Sequence, residues 1–130
     1  MNKLHILKCL IVVLVVILAG CSAEVNELSY KQISTETAIE MMTDETNYII
    51  LDVRTSEEYA EGHIEDAINI PNETIGSNEI EELPDKSQLI MIYCRSGNRS
   101  KQAADKLVKL GYTNNVEFGG INTWTGELVK

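Results

Sequence analysis

An apolar run, Leu89 to Tyr93, passes through the polar segment Cys94-Arg95-Ser96-Gly97-Asn98-Arg99-Ser100 into a helix-like stretch that lasts until Leu110. This strand, loop and helix set the terms for the rest of the chain. A strand that turns into a helix within a few residues belongs to an alternating architecture, and the flanking sequence repeats the alternation. Ser34 can cap a helix over Thr35 to Met42, with Ala38, Ile39 and Met42 on one face. Tyr48 to Leu51 reads as a buried strand ended by Asp52, and Thr55 and Glu58 have capping-box spacing for a helix through Glu61 that stops at Gly62. Ala67 to Pro71 reads as a short strand, Ile75 to Leu83 as a helix before Pro84, Val116 to Phe118 as a strand, and the region around Trp124 as a last helix. Gly111 is the expected stop for the helix Ser100 to Leu110. Strands alternating with helices imply an α/β fold, a mostly parallel central sheet with helices on both faces. Loops at the carboxyl ends of such strands carry the chemistry, which places Asp52 and Cys94 on one edge.

The beginning of the chain is of another kind. Lys3 and Lys8 precede an apolar run, Cys9 to Ala19, too short for the roughly 20 residues that span a bilayer. Leu18-Ala19-Gly20-Cys21 resembles a bacterial lipobox, in which the chain is cut before a cysteine that carries lipid. The expected organisation is a signal peptide over residues 1–20, a lipidated Cys21 with a polar tether over 21–29, and one domain over 30–130. Fatty acyl chains such as palmitate on Cys21 would hold the protein on the extracytoplasmic face of the cell membrane.

That organisation isolates Cys94. Of three cysteines, Cys9 leaves with the signal peptide and Cys21 is taken by lipid, so Cys94 is a lone thiol in an exported protein. Its polar neighbours argue against an inert core cysteine. A thiol at a strand end, facing backbone N–H groups and a helix N-terminus, is favoured as thiolate. Charge agrees: the net −9 of the whole chain becomes −11 once Lys3 and Lys8 are removed, which makes nucleic acid an improbable partner. Yet residues 94–110 carry Arg95, Arg99, Lys101, Lys106 and Lys109 against Asp105 alone, so a small anion suits this segment. Lys106 and Lys109 read as solvated helix face.

Over residues 30–130 the chain resembles the rhodanese family of single-domain sulfurtransferases. The matching pieces are Leu51-Asp52-Val53-Arg54, Glu58-Tyr59, Gly62-His63-Ile64, Ala67 to Pro71, the Cys94 to Ser100 loop, and Gly119-Gly120 with Trp124. The resemblance implies a rhodanese α/β fold and a Cys94 that takes sulfane sulfur from a donor such as thiosulfate, becomes a persulfide, and yields the sulfur to a thiol or cyanide. Six residues after Trp124 form a tail short for the family. Tyrosine-phosphatase loops resemble Cys-x5-Arg, whereas Cys94 to Arg99 is Cys-x4-Arg preceded by Tyr93, so phosphatase or arsenate-reductase chemistry is the weaker reading.

Within the loop, Cys94 is the expected nucleophile and the backbone N–H groups of Arg95 to Ser100, with Ser96 and Asn98 among them, the cradle for the outer sulfur. Gly97 permits a backbone angle or a close approach that a side chain forbids. Arg95 faces the entrance and attracts the dianionic donor. Arg99 either assists it or pairs with a carboxylate beneath the loop, and Ser100 either donates to sulfur or caps the helix. Asp52 and Arg54 resemble the family's Asp-x-Arg element and read as a structural pair. His63 is a structural turn histidine before it is a general base, and Trp124 is core before it is pocket rim. No metal site or cofactor is implied: His5 lies in the signal, and glycine-rich nucleotide motifs are absent. Two non-enzymatic readings stay open, a binding or sensing module and a persulfide relay to a partner protein.

Overall fold

The computed structural model describes residues 29–130. The proposed signal peptide and Cys21 lie outside them. Five strands form one parallel sheet in the order β1-β6-β5-β2-β4, comprising β1 (Lys31–Gln32), β2 (Tyr48–Asp52), β4 (Ile68–Asn69), β5 (Leu89–Cys94) and β6 (Asn115–Gly120). Helices α1 (Thr35–Asp44) and α2 (Ser56–Glu61) cover one face and α3 (Asn98–Lys109) the other. The expected α/β fold with helices on both faces is what the chain adopts.

Alternation along the central strands sorts the core. Ile90, Ile92 and Cys94 of β5 point at Ala103, Ala104 and Leu107 of α3, whereas Met91 and Tyr93 point at the layer containing Ala38. All of these are buried, and burial at about 25 cal/mol per Å² of apolar surface is the main force holding the layers together. Local signals then fix the helix ends. The amide of Thr37 donates to Ser34 Oγ at 3.1 Å and that of Glu58 to Thr55 Oγ1 at 3.2 Å. At the end of α3, the Gly111 amide donates to Val108 O and the Tyr112 amide to Leu107 O, both at 3.0 Å, a Schellman closure in which Gly111 takes the left-handed φ of 93°.

Two expected helices are absent. Between Ile75 and Leu83 the chain forms turns after one 3₁₀ turn, Asn72–Thr74. Gly76-Ser77-Asn78 favours turn over helix, and Ile75 and Leu83 are buried as separate anchors at the two ends. The Tyr112 hydroxyl holds the second anchor by donating to Leu83 O at 2.7 Å. Around Trp124 there is likewise only a 3₁₀ turn, Ile121–Thr123. The short tail then runs into β7 (Leu128–Val129), which pairs antiparallel with β3 (His63–Ile64). Gly126 folds tightly over the indole: a Cβ there would stand 2.7 Å from Trp124 Nε1. Trp124 itself is half-buried beside Phe118, their rings 6.2 Å apart, so it belongs to the core edge.

Candidate active site

β5 delivers Cys94 to the carboxyl edge of the sheet, and after three intervening residues α3 begins at Asn98. The reversal depends on two glycines. Gly97 stands at the N-cap of α3 with φ 114°, a region that side chains rarely enter. Gly120, paired with Cys94 across the sheet, lies so close to the loop that a Cβ would stand 2.3 Å from Arg95 O. The amide of Asn122 donates to the same carbonyl at 3.2 Å. The loop is thereby clamped from below.

The sulfur sits at the bottom of this loop, with Cys94 only 1% exposed. The Gly97 amide donates to Sγ at 3.1 Å, and Sγ lies 3.4 Å from Ser100 Oγ. Burial pushes the Cys94 thiol up, but the Ser100 hydroxyl and the amides of Ser100, Gly97 and Ser96 outweigh it, and the net shift is downward. Such a sulfur is a better nucleophile at neutral pH than an ordinary thiol. Ser100 therefore contacts the sulfur; the capping position belongs to Gly97. Ser96 and Asn98 are exposed on the outer side of the loop.

The two arginines converge on one acid. Arg99 makes a two-pronged contact with Glu58, at 2.7 and 3.0 Å, and Arg95 reaches the same carboxylate at 3.3 Å. Of the two alternatives for Arg99, the structure has it paired with a carboxylate, one that comes from α2 beside the loop. Hydrogen bonds from Arg99 hold the Glu58 carboxyl down at about 2 against the opposing effect of burial, with the charge of Arg99 and the contact from Arg95 adding to them. The Arg95 side chain is 57% exposed at the entrance. Beside it opens a shallow concavity of about 240 Å³, to which Arg54, Ile121 and Leu128 also contribute.

Asp52 and Arg54 form a buried pair at 2.6 Å, next to the loop and without direct contact to the sulfur. Tyr93 donates its hydroxyl to Asp52 at 2.6 Å and accepts the Ile64 amide at 3.1 Å, while Arg54 donates to Gly62 O at 2.8 Å. Burial and the Asp52 carboxylate push the Tyr93 phenol up, so it stays a donor. His63 stacks on Tyr59 with 3.7 Å between ring centroids, and its Nδ1 lies 2.9 Å from Tyr59 O, away from the sulfur. Among the described residues no cluster of three His, Cys, Asp or Glu side chains could hold a metal ion.

Sequence reasoning read Glu58 as a capping residue and as part of the family-like pair Glu58-Tyr59, without joining it to the loop arginines, and passed over Glu117. The second had a signal: Val116 and Phe118 must face one side of β6, so Glu117 faces the other, inside the protein. It is 2% exposed, and its Oε1 lies 2.5 Å from Ser100 Oγ.

Comparison with known proteins agrees with this geometry. The family model for the rhodanese-like domain matches residues 34–127. The thiosulfate sulfurtransferase PspE of Escherichia coli is 37% identical over 71 residues, 55% of this chain and 68% of its own length. A sulfurtransferase of Allochromatium vinosum is 36% identical over 72% of this chain and 86% of its own length. Among solved structures, a rhodanese-like domain protein from Staphylococcus aureus superposes with a TM-score of 0.66 at 32% identity, covering 77% of this chain and 98% of its own. A rhodanese with anions from E. coli gives 0.58 at 34% identity, covering 64% and 98%.

Proposed function

We propose that this chain, which belongs to the rhodanese family and is a sulfurtransferase, moves sulfane sulfur from a thiosulfate-like donor through a persulfide on Cys94 to a thiol or cyanide. The observation that carries this reading is the buried Cys94 Sγ receiving the Gly97 amide at 3.1 Å, with the amides of Ser96 and Ser100 also acting on the sulfur. The thiolate attacks the outer sulfur of the donor; an S–S bond forms to Cys94, and the S–S bond of thiosulfate breaks with its electron pair leaving on sulfite. The acceptor, as thiolate or cyanide, then attacks the outer sulfur, and the Cys94 thiolate leaves. In both steps charge grows and fades on sulfur within one amide cradle, so no solvent must reorganise around it.

Intact mass of purified protein tests the reading. Thiosulfate should add about 32 Da to the wild type, cyanide should remove it, and Cys94→Ala should gain nothing. An unchanged wild-type mass, or the same gain in Cys94→Ala, would overturn it. Phosphatase chemistry is disfavoured by Arg99, which lies on Glu58 at 2.7 Å and is unavailable to a phosphoryl group.

The location we propose is the extracytoplasmic face of the cell membrane, with lipid on Cys21 as the anchor. The support is the short apolar run before Leu18-Ala19-Gly20-Cys21 and the polar segment Ser22 to Ser29 that follows. Among the described residues no helix is long and apolar enough to cross a membrane. Cys21→Ser should leave an uncut precursor without acyl mass; a soluble, unacylated wild-type protein in the expressing bacterium would refute the anchor.

A further inference from the structure

Among the described residues two carboxylates are almost wholly buried, Asp52 at 0% and Glu117 at 2% exposure. Asp52 has the Arg54 guanidinium on it, whereas Glu117 has no cationic nitrogen of the described residues within 4.0 Å. An unpaired buried charge is costly, and it is placed where it bears on the nucleophile. Glu117 Oε1 accepts the Gly119 amide at 2.8 Å and the Ser100 hydroxyl at 2.5 Å, and a Cβ on Gly97 would stand 3.7 Å from it. Ser100 Oγ in turn lies 3.4 Å from Cys94 Sγ. One hydroxyl separates the acid from the sulfur.

That hydroxyl has a single proton and four acceptors within reach, the Gly97 and Gly119 carbonyls at 3.0 and 3.4 Å and two groups that can carry charge, Glu117 Oε1 and Cys94 Sγ. When Cys94 is a thiol, it donates to Ser100 Oγ, which donates to the Glu117 carboxylate, and every group is satisfied. When Glu117 is a neutral acid, the chain reverses: the acid donates to Ser100 Oγ, which donates to the Cys94 thiolate. A thiolate together with a carboxylate would leave two anions competing for one proton in a buried site, and that state is disfavoured. The other groups around Glu117 do not relieve it. Lys101 of α3 passes beside Gly97 with its stem, the Tyr30 phenol ahead of β1 is pushed up by burial, then Asp105, and also by the Glu117 charge, and Gln32 of β1, level with Glu117, is neutral.

We propose that Ser100 and Glu117 are a proton relay behind Cys94. The thiol proton passes to Ser100 Oγ as the hydroxyl proton passes to Glu117 Oε1, which leaves a thiolate on Cys94 and a neutral acid on Glu117. No net charge enters or leaves the site. The proton is stored on the side of the sulfur opposite the donor, and it returns by the same path once the sulfur has been given up. Glu117 acts through Ser100 and is a positioning residue. The inference rests on Cys94 being the sulfur-carrying nucleophile.

A shared proton has a titration signature. Two coupled sites lose their protons in two macroscopic steps, with a plateau between them where one proton serves both. The rate of Cys94 alkylation by iodoacetamide, followed by peptide mass on the full chain across pH, should therefore rise in two steps in the wild type. In Glu117→Gln, which keeps the size and can accept the same two hydrogen bonds but takes up no proton, the lower step should be lost. The infrared carbonyl band of a neutral carboxylic acid should persist through the wild-type plateau and be missing from Glu117→Gln. A single step in the wild type overturns the relay, as does a two-step curve that survives in Glu117→Gln. Should the variant not fold, the wild-type step count and acid band decide alone. Thiosulfate loading is measured separately: a Cys94 that titrates in two steps and takes no sulfur sinks the sulfur-transfer reading, and one that loads normally with a single step sinks the relay.

Discussion

Replacing Glu58 with glutamine should weaken the protein and strengthen its hold on anionic donors. The substitution keeps the helix cap, since the Glu58 amide still reaches Thr55 Oγ1, and removes only the charge that Arg99 and Arg95 share. The carboxyl is held at about 2 against an ordinary 4.5. At about 1.36 kcal/mol per unit that shift has a ceiling near 3 kcal/mol. The pair is not sealed from water, the Arg95 side chain being 57% exposed and that of Arg99 27%, so screening leaves about 1 to 2 kcal/mol. For a domain of this size the loss corresponds to a fall in Tm of about 5 to 10 °C. A carboxyl whose folded value is depressed gives stability that is complete above the ordinary value and is lost as pH falls through the folded one. The Tm gap between wild type and Glu58→Gln, read by circular dichroism, should accordingly be full at pH 7, narrow below about 4.5 and close near 2. With Arg95 released, KM for thiosulfate should fall severalfold at low salt. A gap that is absent at pH 7, or that persists unchanged to pH 2, would refute the role given to this ion pair.

Arg95→Ala should lower kcat/KM for thiosulfate through KM, by about 1 kcal/mol at low salt and less at high, because Glu58 already offsets part of its charge; equal losses in kcat would mean that Arg95 acts in the chemical step. Tyr93→Phe deletes the donor to Asp52 and the acceptor for the Ile64 amide, and should destabilise by about 1 to 3 kcal/mol in urea titrations while sulfur loading of Cys94 survives. Gly120→Ala forces a methyl to within 2.3 Å of Arg95 O and should displace the loop, abolishing sulfur loading and destabilising by about 3 kcal/mol or less if the backbone yields.

What could be read along the chain was local. Ser34, Thr55 and Gly111 marked helix ends because each acts on a backbone group a few residues away. The Cys94 loop was legible for the same reason: sulfur, glycine and helix start are consecutive. Ile75 to Leu83 misled because apolar residues at its ends suggested one amphipathic face, whereas the core takes Ile75 and Leu83 as two anchors joined by a Gly76-Ser77-Asn78 turn. The tail misled in the opposite direction, since the pairing of Leu128 with Ile64 depends on a partner far away in the chain.

The same distance hid both acids, and they change how the positive loop is understood. Read as sequence, residues 94–110 carry a surplus of cations that would draw an anion by charge. In the folded chain Arg99 is committed to Glu58 and Arg95 is shared with it, so the charge facing the donor is much reduced. Beneath the loop Glu117 places a carboxyl group, rather than a cation, behind the sulfur. Stabilisation of negative sulfur must then come from the Ser100 hydroxyl and from the amides that face Cys94, Gly97 among them at 3.1 Å. Amides hold fixed partial charges, cannot be titrated away and point at one atom, whereas a mobile guanidinium would favour any anion that reached the entrance. The arginines accordingly differ in what they are free to do: Arg99 fixes α2 to the loop, and the exposed Arg95 is left for the long-range attraction proposed for it. In the sulfur transfer proposed above, selectivity for a single sulfur atom would follow from the backbone, in the six residues from Cys94 to Arg99 that Gly97 and Gly120 allow to close so tightly.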